Sequence, residues 1–212
     1  MIAAMIPAAG KSERMGRPKL ILPIDGEPLL ARVINALVSG GAGRVLVVAP
    51  PIDEPGAEQL IAAARAVGAE VLVLETATPD MRTTIEQGLQ QLGQGEPPRW
   101  LALTPGDLPG LTAGLVQRVF EQARATPDSL IVPQDRQTGR RGHPLVMPWS
   151  TACEIPALPA GVGVNALVQT HERRLVAVPL DDTLAFEDWD RPQDLLRWST
   201  VVTKPINQET NP

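Results

Sequence analysis

The chain has 212 residues, 43% hydrophobic and 20% charged, and a net charge of −5 from 19 Lys+Arg against 24 Asp+Glu, which suits one large domain with a sizeable core. The acidic balance and an aromatic content of 3% speak against a duplex-binding surface and against stacking platforms for single strands, so no nucleic-acid partner is expected. The one cysteine, Cys153, excludes an internal disulfide framework and a multi-cysteine zinc site, and with neither a basic-then-apolar leader nor a membrane-length apolar run the expectation is a cytoplasmic chain with no membrane partner.

Along the chain, short apolar runs alternate with helical periodicity. Strands are predicted at 2–6, 44–49, 70–74, 100–103 and 129–132, and helices at 29–39, 57–67, 81–92 and 112–125. Runs such as Val45-Leu46-Val47-Val48 read as strands buried on both faces. The predicted fold class is therefore α/β: a doubly wound, largely parallel sheet with helices on both faces. Gly40-Gly41 and Gly93 sit where helix C-termini are expected, and Thr112 is placed to cap the helix that follows it. After Pro133 the rhythm loosens. A polar, basic stretch (134–141) leads to a short apolar run at 145–147, a helix near 163–171, a strand near 175–178 and a closing helix at 193–198 with Pro192 in its first turn. The residues from about 202 onward read as a tail.

The chemistry-bearing segment is Ile6 to Leu20, IPAAGKSERMGRPKL. It is a Gly-punctuated loop that follows the first strand and carries Lys11, Arg14 and Lys19. Small residues keep Cβ atoms out of the way, backbone N–H groups can converge on a phosphate, and local cations in an acidic protein favour an anionic ligand. The spacing is neither that of a Walker loop nor GxGxxG. Open α/β sheets bind ligands beyond the carboxyl ends of their strands. The loop after 100–103, Thr104-Pro105-Gly106-Asp107-Leu108-Pro109, puts a carboxylate in a rigid frame at that edge. Cations for phosphates and a carboxylate for Mg²⁺ match a nucleoside triphosphate.

These residues resemble the MobA-like nucleotidyltransferases, especially the molybdenum cofactor cytidylyltransferase branch. IPAAGKSERMGRPKLILPIDGEPLL is similar to that family's LAAGxSxRMGxxK signature and its LLP and PLL continuation; PGDLP resembles its GDxP motif, RGHPLVM its GHPxxF segment, PDMRTT its GMxxS turn and DWDRPQDL its closing DIDTPEDL. The resemblance implies a Rossmann-like nucleotidyltransferase domain over 1–198, with 134–198 facing the acceptor and 199–212 a flexible tail. It implies that Ala8, Ala9, Gly10, Lys11 and Ser12 cradle the triphosphate while Thr83 and Thr84 reach toward the nucleotide. Arg14 and Lys19 neutralise charge, Asp107 holds Mg²⁺, and Arg141 and His143 meet the acceptor; the residues themselves offer Asp190, or alternatively Asp188, as a second carboxylate. The implied reaction transfers a nucleoside monophosphate, best CMP from CTP, to a phosphorylated acceptor such as molybdopterin. It releases pyrophosphate and has a molybdoenzyme as a further partner; a monomer is expected. Alternatives are a sugar-phosphate or other small-phosphate acceptor, GTP as donor, or a non-catalytic nucleotide- or cofactor-binding chaperone. One departure stands out: where the cytidylyltransferases carry GDxGxR, this chain has Gly161 and Asn165 at the acidic and basic positions.

Overall fold

A computed structural model describes residues 1–10, 18–181 and 186. Lys11, Ser12, Arg14, Asp190, the predicted closing helix and the tail lie outside the described residues.

The described elements are β1 (Ile2–Pro7), β2 (Pro23–Ile24), β3 (Glu27–Pro28), α1 (Leu29–Ser39), β4 (Arg44–Ala49), α2 (Ala57–Ala66), β5 (Glu70–Val73), α3 (Met81–Leu92), β6 (Trp100–Leu103), α4 (Ala113–Ala125), β7 (Leu130–Asp135), β8 (Leu145–Pro148), α5 (Trp149–Ala152), α6 (Val164–Thr170) and β9 (Leu175–Leu180). Seven strands form one sheet in the order β5-β4-β1-β6-β8-β7-β9. Every pairing is parallel except those of β8, which runs antiparallel to both β6 and β7. The sheet is thus largely parallel, as its buried strands imply. The reversed strand follows from connectivity, since β7 and β8 are joined by a polar turn with no crossover helix, and a short link can only join antiparallel neighbours.

The two faces are written into the sequence with period two. Ile2, Ala4 and Ile6 with Val45, Val47 and Ala49 point to the layer of α1, α2 and α4, whereas Ala3 and Met5 with Leu46 and Val48 point to the layer of α3, α5 and α6. Phe120 on α4 and Ile85 on α3 anchor the two layers, each almost completely buried. A small hairpin, β2–β3, turns through Asp25 (φ 51°) and Gly26 (φ 85°). That Asp-Gly pair between paired residues has the left-handed conformations of a type I′ turn. No helix among the described residues is long and apolar enough to cross a membrane.

Helix α3 lies unusually close to the sheet because it has a glycine at the contact. A Cβ built on Gly88 would fall 2.7 Å from Met5 Sδ and 2.9 Å from Val48 Cγ2, inside any real contact distance. Interiors are packed too densely to absorb such an insertion freely. Gly88→Val should therefore destabilise the protein by about 1–3 kcal/mol, read as a lowered urea midpoint at an unchanged denaturant slope. An unchanged midpoint would show that α3 does not rest on Met5.

Candidate active site

In the strand order, β4 and β5 continue to one side of β1, while β6 returns on the other side. The topological switch, where crevices form in open α/β sheets, therefore lies at the carboxyl ends of β1 and β6. The loops leaving those two strands are the ones that carry Lys19 and Asp107.

Two glycines set the path of the first loop's exit. Pro18 closes onto Gly56, which lies in the left-handed region (φ 81°), and a Cβ there would come within 2.6 Å of Pro18 Cγ. Leu20 is buried, and a Cβ on Gly106 would meet Leu20 Cδ2 and Ile6 Cγ2, each at 3.2 Å. Held between Gly56 and Gly106, residues Lys19–Ile21 make one 3₁₀ turn. Lys19 between these anchors directs its Nζ to donate to Asp107 Oδ2.

The Asp107 loop is held as firmly. The Thr104 N–H donates to Met5 O at 3.1 Å, which extends the β1–β6 ladder to the loop's first residue. Leu108 and Leu111 are buried on either side of a turn closed by the Leu111 N–H on Leu108 O. From α1, Arg32 Nε donates to Pro109 O at 3.0 Å, and its Nη1 lies 3.5 Å from Asp25. The Lys19 and Asp107 side chains are only 17% and 13% exposed, in surroundings where an ion pair is screened less than at the surface. Asp107 Oδ1 is buried and has no hydrogen-bond partner among the described residues.

That orphaned oxygen tests the fit of a divalent cation. Among the described residues no three His, Cys, Asp or Glu side chains gather to make a metal cage. Mg²⁺ does not need one, because it binds through one or two carboxylates and completes its shell with substrate phosphates and water. A buried carboxylate oxygen with spare lone pairs, next to a lysine, fits such an ion.

Not all of the residues singled out in the sequence face this crevice as donors. The Ala8 N–H donates to Val48 O at 2.8 Å, so Ala8 prolongs the strand, and Ala9 and Gly10 carry the chain off the sheet. Thr84 is buried, its Oγ1 lies 2.5 Å from Thr78 Oγ1, and it donates to Asp80 O at 3.2 Å. It closes the loop that leads into α3. Thr83 belongs to the same cap, since both its N–H (2.8 Å) and its Oγ1 (2.9 Å) donate to Asp80 Oδ1. His143, by contrast, stands just before β8, whose Leu145 pairs with Leu103 at the end of β6. Its Nδ1 lies 3.4 Å from Leu103 O, which places the half-buried imidazole beside the loop of Asp107. Arg141 turns to an exposed ion pair, its Nη2 3.3 Å from Glu172 Oε1.

Sequence reading missed Arg32 as the strut of the Asp107 loop, for its partner is 77 residues away and nothing in helical periodicity marks a bond across that distance. It also missed the capping of α3 by Asp80. The signal was present as an Asp just ahead of a periodic segment.

Asp80 is held ionised by this cap: the Thr83 N–H, then the Thr83 hydroxyl, push its carboxyl below the ordinary carboxylate range. A depressed folded value stabilises the protein above the unfolded value of about 3.9, and that contribution fades as pH falls through the folded one. Asp80→Ala should lower Tm at pH 7, Asp80→Asn less so because Asn also caps, and the gap between wild type and Asp80→Ala should narrow in acid. A gap independent of pH down to about 2 would refute the ionised cap.

At the switch point of a largely parallel α/β sheet a lysine from the first loop thus meets a carboxylate from the β6 loop, the edge at which open α/β folds bind their ligands. Residues 4–175 match the family described as MobA-like NTP transferase domain; the chain belongs to that family and is a nucleotidyltransferase. It is 30% identical over 193 residues to a molybdenum cofactor guanylyltransferase of Cupriavidus metallidurans, covering 87% of this chain and 88% of that one. Over 67 residues it is 42% identical to a 2-C-methyl-D-erythritol 4-phosphate cytidylyltransferase of Saccharopolyspora erythraea, 30% of each chain. Its fold superposes on a nucleotidyl transferase from Methanothermobacter with a TM-score of 0.74 at 22% identity, over 93% of this chain and 95% of the other.

Proposed function

We propose that this nucleotidyltransferase transfers CMP from CTP to the terminal phosphate of a molybdopterin-type cofactor, releases pyrophosphate and uses Mg²⁺. The observation that carries the chemistry is the Lys19–Asp107 pair with its orphaned Asp107 Oδ1. The choice of CTP rests on the opening motif, PAAGKSERMG, which resembles that of the cytidylyltransferase branch. The relative matched over 193 residues is named for guanylyl transfer, which makes GTP the second reading.

In this mechanism the phosphate loop from Ala9 onward, including Lys11, Ser12 and Arg14, holds the triphosphate. Lys19 donates to phosphate oxygens once a nucleotide competes for its ammonium. Asp107 would hold the metal, which supplies Lewis-acid stabilisation of charge on the phosphoryl oxygens; Asp190 is the proposed second carboxylate. An acceptor phosphate oxygen attacks the α-phosphorus, the bond from that phosphorus to the β-phosphate bridging oxygen breaks, and pyrophosphate departs opposite the entering oxygen. The attacking oxygen is already anionic, so the protein needs no general base, and catalysis is alignment plus charge stabilisation. His143, beside the Asp107 loop, is placed for the acceptor, as is Arg141 if it exchanges Glu172 for a phosphate. We place the reaction in the cytoplasm of a monomeric protein, with a molybdoenzyme as the receiver of the product.

Pyrophosphate release with each nucleoside triphosphate, Mg²⁺ and molybdenum cofactor tests this reading. Turnover is expected with CTP, and Asp107→Ala should lower it by a factor on the order of 100 or more. Turnover with GTP alone would replace the CTP reading, and none with any pair would leave a nucleotide-binding protein. Lys19→Ala should weaken CTP binding about tenfold by calorimetry, as loss of a charge-assisted hydrogen bond implies. Unchanged affinity would remove Lys19 from the phosphate site.

A further inference from the structure

Arg82 makes contacts that the reaction above does not require of it. It stands in the first turn of α3, where it pairs with Glu86 one turn on (Nε to Oε1, 3.1 Å). Its Nη1 reaches across 76 to 80 residues to three backbone carbonyls: Leu158 O at 3.0 Å, Pro159 O at 2.6 Å and Val162 O at 3.3 Å. Those carbonyls belong to one tight turn. The Val162 N–H donates to Pro159 O at 3.1 Å, and Gly161, third in that turn, has φ 77°. A left-handed third residue is what a type II turn demands, and glycine meets that demand without strain. The turn leads directly into α6.

Two facts give the contact meaning beyond packing. First, α3 begins where the chain returns from the carboxyl end of β5, so its first turn stands on the ligand edge of the sheet and Arg82 draws the Leu158–Val162 turn to that edge. Second, this turn contains Gly161, one of the two positions at which the chain lacks the charged residues of the GDxGxR pattern. All three carbonyls lie against the one nitrogen, Nη1, whose two N–H groups must be shared among them, while Nε is turned to Glu86; the fixed planar geometry of the guanidinium sets both directions at once, which a lysine ammonium on a flexible stem does less well.

We propose that Arg82 is a positioning residue that fixes the Leu158–Val162 turn as the acceptor-side wall of the crevice, replacing by a fixed turn what side-chain charges at 161 and 165 would otherwise provide. The inference rests on the nucleotidyl transfer to a phosphorylated cofactor set out above. Arg82 touches no reacting atom. Its effect falls on where the acceptor is held, and the nucleotide side is left alone.

The test compares full-length wild type with Arg82→Met, Arg82→Lys and Glu86→Gln. Hydrogen exchange reads the turn directly, and pyrophosphate release with saturating CTP or GTP and varied molybdenum cofactor reads the acceptor. Arg82→Met should speed exchange at residues 158–165 at least tenfold while α3 beyond its first turn stays protected. It should also raise the acceptor KM about tenfold, with kcat and nucleotide affinity within twofold of wild type. Arg82→Lys should fall between, and Glu86→Gln, which leaves the three carbonyl contacts in place, should match wild type; this variant separates the staple from a general loss of charge on α3. Unchanged exchange in Arg82→Met would overturn the staple, and faster exchange with an unchanged acceptor KM would overturn the wall. A wild type that turns over no nucleotide with the cofactor overturns the function reading and the turn's acceptor role with it, whereas the exchange comparison by itself upholds or overturns the staple.

Discussion

The contact between Lys19 and Asp107 depends on backbones that come closer than side chains normally permit. Gly56 accepts Pro18, and Gly106 accepts Leu20 and Ile6, so the chain leaving the phosphate loop is wedged between the loops after β4 and β6. Only in that wedge do a lysine and an aspartate 88 residues apart meet with both side chains largely out of water. Burial of a charge is costly unless it is paired. Each of the two groups therefore stabilises the other, and the pair fixes both at the switch point of the sheet.

The architecture divides the labour around this contact. The parallel strands β5, β4, β1 and β6 bring three loops and the start of α3 to one edge. The reversed strand β8 brings a different kind of connection to the same edge: its first residues enter from the polar turn after β7, and this puts His143 against the end of β6. Phe186 reinforces that join, for its ring sits where a Cβ on Gly142 would be, 2.6 Å from Cδ1. An all-parallel sheet would have put a crossover helix there.

Much of this was legible in the sequence because burial on two faces imposes period two on strands and 3.6 on helices. The bounds of α1, α3, β4 and β6 coincide with the predicted ones, and the family resemblance placed Lys19 and Asp107 in one site. What sequence reading could not supply were facts created by the third dimension. That the Ala8 N–H extends the ladder with β4, and that Thr84 is buried at the start of α3, is visible only once the strands pair and the helix packs. The direction of β8 likewise escapes periodicity, because alternation reports which faces are buried and is blind to the sense in which a strand runs. Nothing in periodicity marks Arg32 or Arg82, yet Arg32 donates to one carbonyl of a distant loop and Arg82 reaches three of another.

Those two arginines hold loops by their backbone. In nucleotidyl transfer the rate depends on where oxygen and phosphorus are held, and an error of about 1 Å can cost on the order of 100-fold. Loops fixed by arginines are one means to that end: Arg32 Nε donates to Pro109 O, and Arg82 Nη1 lies within hydrogen-bond distance of Leu158, Pro159 and Val162 O. Arg32 does this for the loop of Asp107 and Arg82 for the turn at Gly161. The glycine at 161 is then less a lost charge than the condition for a tight turn whose carbonyls converge on Arg82, and rigidity of backbone takes the place of a charged contact.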